Sequence, residues 1–110
     1  MSKIEFSKEV KKWAHVWKPK EDCTSEEIDI INGIFNDSRL KWNKKRKCFI
    51  LNSLYMNTKG LQRLTFLPPL IIEDTFSCSF NFIESLEGGP IEAKKYYCYF
   101  NNLININKKN

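Results

Sequence analysis

The spacing of hydrophobic residues changes along the chain, and each change predicts a different element. Phe6, Val10, Trp13, Ala14 and Trp17 recur at steps of three and four, which is one face of an α-helix. Lys8, Lys11, Lys12 and Lys18 fall elsewhere, and Pro19 ends the helix by forcing Lys18 towards an extended conformation. Thr24-Ser25-Glu26-Glu27 is a capping box, so a second short helix is predicted with Ile28, Ile31, Ile34 and Phe35 inward. Asn36-Asp37-Ser38 closes it. Arg39-Leu40-Lys41-Trp42 and Lys47-Cys48-Phe49-Ile50-Leu51 then flank the polar stretch Asn43-Lys44-Lys45-Arg46, a pattern that predicts a β-hairpin.

Beyond the hairpin the pattern repeats itself. Residues 76–86 (F-S-C-S-F-N-F-I-E-S-L) and 96–106 (Y-Y-C-Y-F-N-N-L-I-N-I) align at a shift of twenty. Phe76 falls on Tyr96, Cys78 on Cys98, Phe80 on Phe100, Asn81 on Asn101, Ile83 on Leu103 and Leu86 on Ile106. A fixed period of this size predicts stacked repeats. Within each, period-two alternation places Phe76, Cys78, Tyr96 and Cys98 inside and Ser77, Ser79, Tyr97 and Tyr99 outside. Asn81 and Asn101 are expected to satisfy backbone groups at the corners of their own unit and the next. Ile83, Leu86, Leu103 and Ile106 fill the core behind. Leu61-Gln62-Arg63-Leu64 has the spacing of Ile83-Glu84-Ser85-Leu86, and both precede a proline-containing turn. Leu54 to Asn57 has the spacing of Cys78 to Asn81, but the next apolar residue comes four positions later instead of two. An earlier, degenerate repeat with a two-residue insertion is therefore expected.

The repeated phrase resembles the leucine-rich repeat, whose L-x-x-L-x-L-x-x-N-x-L frame includes such a strand and asparagine. It is more similar still to the short degenerate leucine-rich repeats of bacteriophage and bacterial proteins, of the type F-x-C-S-x-N-x-L-x-S-L-E-G-A-P. Residues 76–90, from Phe76 through Gly88-Gly89-Pro90, follow that phrase nearly throughout. The likeness spans residues 50–106 and is specific over 75–106. It implies curved parallel-sheet coils and protein–protein recognition, with no catalytic residues to carry over. The expected fold is α+β: an N-terminal helical cap of two short helices, then a leucine-rich-repeat-like β-array or solenoid of about three coils. One domain, 1–110, would comprise the cap (1–38), a basic hairpin (39–51), the coils (52–106) and a tail (107–110). The array stops after its second clear repeat, so an uncapped C-terminal edge is expected to pair with a partner or with a second copy as a homodimer.

Charge adds a second signal. The 110 residues carry a net charge of +5. Residues 38–72 hold eight basic side chains and no acid, while the flanking segments are slightly acidic. Chemistry is less evident. Cys23, Cys48, Cys78 and Cys98 show no C-x-x-C spacing, and His15 is the one histidine, so neither a metal site nor a cofactor is expected. Glu73 and Asp74 are adjacent and point to opposite faces of a strand, which rules them out as an acid–base pair. Gly88-Gly89-Pro90 lacks the sequel of a phosphate loop. The chain is expected to have no enzymatic activity. No apolar run reaches the length of a membrane span and no signal-peptide core is present, so a cytoplasmic protein is expected, in the host cytoplasm if phage-encoded.

Two functional readings follow. In the first, a protein partner is bound through Ser77, Ser79, Phe80, Tyr97, Tyr99 and Phe100, aided by the basic residues Arg39, Lys41, Lys44, Lys45, Arg46 and Lys47. By analogy with phage repeat proteins, that partner would be a host enzyme such as a defence nuclease, inhibited or modulated in the anti-CRISPR manner. In the second, the basic segment 39–63, with Trp42 and Tyr55 nearby, binds nucleic acid.

Overall fold

Successive strands running in the same direction organise the molecule. The computed structural model describes residues 8–20 and 22–103, an α+β arrangement of a mixed, open five-stranded sheet with one substantial helix against it. The strands are β1 (Lys41–Asn43), β2 (Cys48–Leu51), β3 (Leu54–Tyr55), β4 (Leu70–Ser77) and β5 (Glu92–Tyr97). β1 and β2 form the antiparallel hairpin, with Trp42 opposite Phe49. β2 and β3 both lie parallel to β4 on one side, and β5 lies parallel to β4 on the other. Leu54 faces Phe76, which in turn faces Tyr96, so the pairing steps by twenty-two residues and then by twenty. Within β4–β5 the offset itself changes between Ile72 and Thr75, from twenty-one (Ile72 to Ala93) to twenty (Thr75 to Lys95).

The hairpin tip occupies Lys44–Lys47, one position later than the sequence pattern suggests. Lys47 takes a left-handed backbone (φ 54°), and the Arg46 N–H donates to Asn43 Oδ1 at 2.9 Å. These contacts close the turn locally, as asparagine side chains do in tight turns.

The helix α2 (Ser25–Phe35) starts as predicted. Thr24 Oγ1 accepts from the Glu27 N–H at 3.2 Å, and Glu27 Oε1 accepts from the Thr24 N–H at 2.9 Å. Ile31, Ile34 and Phe35 are buried against the sheet, and Ile30 packs at the margin of the core. Phe35 meets Phe49 edge-on with ring centres 5.0 Å apart.

The N-terminal segment departs from expectation. Among the described residues only one helical turn forms, α1 (Lys8–Lys11), and Phe6 lies outside them. Beyond Lys11 the chain winds through tight turns, with Trp13 N–H donating to Val10 O and Val16 N–H to Trp13 O. Short helices are marginal on their own, and Trp13, His15, Val16 and Trp17 are weak helix formers. Packing decides the path instead. Trp13 meets Phe49 edge-on at 5.4 Å, and Trp17 lies 5.5 Å from Phe35.

The core behind the sheet holds Phe49, Leu51, Met56, Leu61, Leu64 and Phe66 from the first return, and Leu70, Ile72, Phe76, Cys78 and Ile83 from the next. Among the described residues, no helix is long and apolar enough to cross a membrane.

Candidate functional site

Two asparagines fix the ends of the parallel strands. Asn81 is almost wholly buried, and its Oδ1 accepts from the N–H groups of Lys59 (2.9 Å) and Leu61 (3.0 Å). Its Nδ2 donates to the carbonyls of Met56, Cys78 and Ser79. Asn101 does the same one unit later, accepting from Ile83 N–H and donating to the carbonyls of Cys78, Cys98 and Tyr99. Each amide therefore ties its own corner to the preceding one, not the following one. Irregular buried backbone is satisfied this way without a regular ladder.

The pairing also corrects the alignment of the earliest unit. Met56, not Leu54, stands in the cysteine position, because Met56 N–H donates to Ser77 O as Cys78 N–H does to Tyr97 O. Lys59 then stands where Asn81 and Asn101 stand, and no insertion follows it. Leu67 N–H donates to Leu64 O just as Gly89 N–H donates to Leu86 O, and the turns end in Pro68 and Pro90. Asn57, the expected corner asparagine, is exposed instead, and its Oδ1 accepts from Ser77 Oγ (2.7 Å) and the Ser79 N–H (2.8 Å). A match on residue identity misled the register because the amide at position 57 serves the outer face.

Of the repeat residues, Phe76, Cys78 and Ile83 are fully buried, and Leu86 is half-buried. Tyr96, Cys98 and Leu103 are half-buried, and Ile106 lies outside the described residues. The Gly88-Gly89 turn packs tightly beside them. A Cβ on Gly88 would lie 2.5 Å from Thr65 Cα, and φ is +86° there. A Cβ on Gly89 would meet the Tyr96 hydroxyl.

The corner itself repeats a backbone feature invisible to hydropathy. Thr58, Phe80 and Phe100 all have positive φ, at 58°, 59° and 54°. Left-handed backbone is costly for bulky side chains, roughly 1–2 kcal/mol per residue, and glycine or asparagine is the usual occupant. Phenylalanine holds it twice here, and both rings face solvent, 55% and 74% exposed. They stack at 4.7 Å with planes 13° apart. Phe82, two residues on from Phe80, is also exposed, and Tyr97 and Tyr99 stack at 5.8 Å. Tyr55 is exposed on the same row of the sheet as Ser77 and Tyr97. Six large rings thus crowd one end of a small sheet.

Ser77 and Ser79, expected as contact residues, are buried. Their hydroxyls are engaged internally: Ser77 Oγ donates to Asn57 Oδ1, and Ser79 Oγ accepts from the Tyr99 N–H at 2.9 Å. This corrects the expectation that they are open to a partner on the outer face. Of the six predicted contact residues, Phe80, Tyr97, Tyr99 and Phe100 are brought together at the surface. Phe82 and Tyr55 join them without having been singled out as contact residues; the first lies beyond the corner and the second beside the misaligned unit.

The basic segment is partly neutralised. Arg39 pairs with Asp37 at 3.5 Å, and Arg46 with Glu92 at 3.1 Å. Arg63 Nε and Nη2 donate to the two oxygens of buried Glu27 at 2.9 Å each, and Asp22 lies 3.5 Å from Nη1. Burial opposes ionisation of Glu27, but the Arg63 guanidinium and the Thr24 N–H outweigh it and hold the carboxyl below its ordinary value. A recess lies beside this clamp, between the α2 N-terminus and Lys59–Arg63. Lys41, Lys44, Lys45, Lys47 and Lys59 remain exposed, with no carboxylate within 4 Å among the described residues. Trp42 leans edge-on against Phe49 at 4.7 Å and is half-buried, so it is not a free stacking platform.

The cysteines are packing residues in their surroundings. Burial, reinforced by Cys98, pushes the Cys78 thiol up to about 12, and burial raises Cys98 as well. Neither is poised as a thiolate. His15 is exposed, its Nδ1 2.9 Å from Lys12 O. Among the described residues, no three His, Cys, Asp or Glu side chains gather as a metal site. No family model, curated protein or solved structure matches the chain.

Proposed function

We propose that this chain is a non-catalytic protein-binding module, a leucine-rich-repeat-like array of about three coils beneath an N-terminal helical cap. The coils would be those of β2–β3, β4 and β5, each ending in the left-handed corner. The observation that supports binding is the pair Phe80 and Phe100: two bulky rings in a strained conformation, stacked and held out to water. Strain of this kind persists where a site uses it. Exposed aromatic clusters of this size mark interaction surfaces, and rigid aromatics make contact anchors. The partner is a protein, and the likeness to phage repeat proteins makes a host enzyme such as a defence nuclease the first to test.

A second reading rests on the five uncompensated lysines, four of them on the hairpin, which suit a phosphate backbone. One experiment separates the two. The tagged protein is incubated with nuclease-treated host-cell extract at moderate salt, beside a Phe80→Ala/Phe100→Ala variant and a Lys44→Ala/Lys45→Ala variant. Capture of a defined protein that fails for the phenylalanine variant supports the first reading. Binding that needs intact nucleic acid, fades steeply with salt and fails only for the lysine variant supports the second.

A further inference from the structure

Among the described residues the outer edge of β5 has no partner strand, and it is self-complementary when read against itself in the opposite direction. Each earlier strand end donates forward: Met56 and Thr58 N–H to Ser77 and Ser79 O, then Cys78 and Phe80 N–H to Tyr97 and Tyr99 O. The equivalent donors on the last strand are the N–H groups of Cys98 and Phe100, and among the described residues they have no backbone acceptor. The core opens at the same place. Phe76, Cys78 and Ile83 are fully buried, whereas Tyr96, Cys98 and Leu103 are only half so. An edge with unpaired donors beside exposed apolar side chains is a template for another strand.

We propose that this edge pairs with β5 of a second copy, antiparallel, about a two-fold axis at Tyr97. Charge selects both the occupant and the orientation. Arg46 neutralises Glu92, which leaves Lys94 and Lys95 as the uncompensated charges in the first half of the strand. From Tyr96 to Leu103 there is no charge at all, and Tyr97, Tyr99 and Phe100 are exposed. A parallel copy would place Lys94 and Lys95 directly on their counterparts. On the far side of the sheet, β1 carries Lys41 and leads into the lysine-rich tip, so β1 against β5 would also oppose like charges, while β3, the other strand open there, is only two residues long (Leu54–Tyr55). Antiparallel pairing about Tyr97 sets Lys95 against the partner's Tyr99, and Tyr97 against the partner's Tyr97, on the outer face. Lysine over an electron-rich ring is attractive. On the edge, Tyr96 and the partner's Cys98 exchange N–H···O bonds, and symmetry repeats the exchange. A two-fold contact of this kind is closed, so it gives a dimer and not a fibre.

The dimer does not depend on the proposed host partner. Phe80 and Phe82 lie one strand away from the seam and stay available, whereas Phe100 falls opposite the partner's Lys94. The test is molar mass by light scattering on the purified full chain across a concentration series. Wild type is expected to run at twice the chain's 13.1 kDa. Tyr99→Lys, which sets lysine against the partner's Lys95, is expected to run at the single-chain mass with its circular dichroism unchanged, since the Tyr99 side chain is exposed. Adding Lys95→Glu to that variant restores opposite charges at the same seam and is expected to restore the doubled mass. A monomeric wild type overturns the proposal. So does a dimer indifferent to Tyr99→Lys, or a double variant that stays monomeric while folded. Phe80→Ala is expected to remain dimeric, which keeps the outcome distinct from loss of host-protein capture.

Discussion

The same phrase occurs twice in this chain and has two physical fates. Around β4, Phe76, Cys78, Asn81 and Ile83 are sealed between neighbours on both sides. Around β5, Tyr96, Cys98, Asn101 and Leu103 make the same kinds of contact on one side and are half exposed on the other. Tyr for Phe and Leu for Ile are small changes of type; the larger difference is that β4 has a parallel neighbour on each side, whereas β5 has one among the described residues.

The asparagines should break this comparison most visibly if it is wrong. Asn81→Ala removes five hydrogen bonds and strands buried backbone groups in two corners. At about 1–3 kcal/mol per unsatisfied buried group, the loss exceeds what a small domain tolerates, and the variant is expected to be largely unfolded. Asn101→Ala, where water reaches the corner, is expected to lower stability by about 1 kcal/mol. Urea denaturation followed by tryptophan fluorescence reads both, and equal losses would contradict the contrast.

Side-chain truncation sharpens it at smaller scale. Ile83→Ala is expected to cost about 2–5 kcal/mol, as buried aliphatic truncations do. Leu103→Ala should cost less than half of that, roughly 1 kcal/mol, because its cavity opens to solvent. The smallest effect concerns the thiols. Burial raises both Cys78 and Cys98, but Cys78 is sealed and pushed up to about 12. Alkylation of the native protein at pH 8, mapped by peptide mass spectrometry, is expected to mark Cys98 well before Cys78. Labelling is done at a concentration where light scattering shows single chains, and matching rates there would mean that the last strand is covered as well as the one before it.

Much of this contrast was legible in the sequence, because alternation and the twenty-residue shift are written directly in residues 76–86 and 96–106. The hairpin and the capping box were legible for the same reason: their signals are local. Long-range geometry was not. The identity of Asn57 suggested a corner, yet its place was set by which strand edge it met. Ser77 and Ser79 alternate with the inward residues, yet both are buried, because Asn57 and the Tyr99 backbone, distant in sequence, take up their hydroxyls. Arg63 looked like part of a positive field until chain folding brought Glu27 to it. The left-handed corner at Thr58, Phe80 and Phe100 has no hydropathy signature, since nothing in residue type alone demands it.

The Arg63–Glu27 clamp carries a consequence for how α2 is held. It joins residues thirty-six apart, whereas each parallel strand pair closes a loop of about twenty. The extra length costs only about 0.5 kcal/mol of closure entropy, since that cost grows with the logarithm of loop size. At the other end of α2, Phe35 meets Phe49 across a shorter stretch of chain than any parallel strand pair closes. The helix is thus fastened at two scales, locally to the hairpin through Phe35 and across the chain through Glu27, so loss of the clamp would free its N-terminal end without releasing the other.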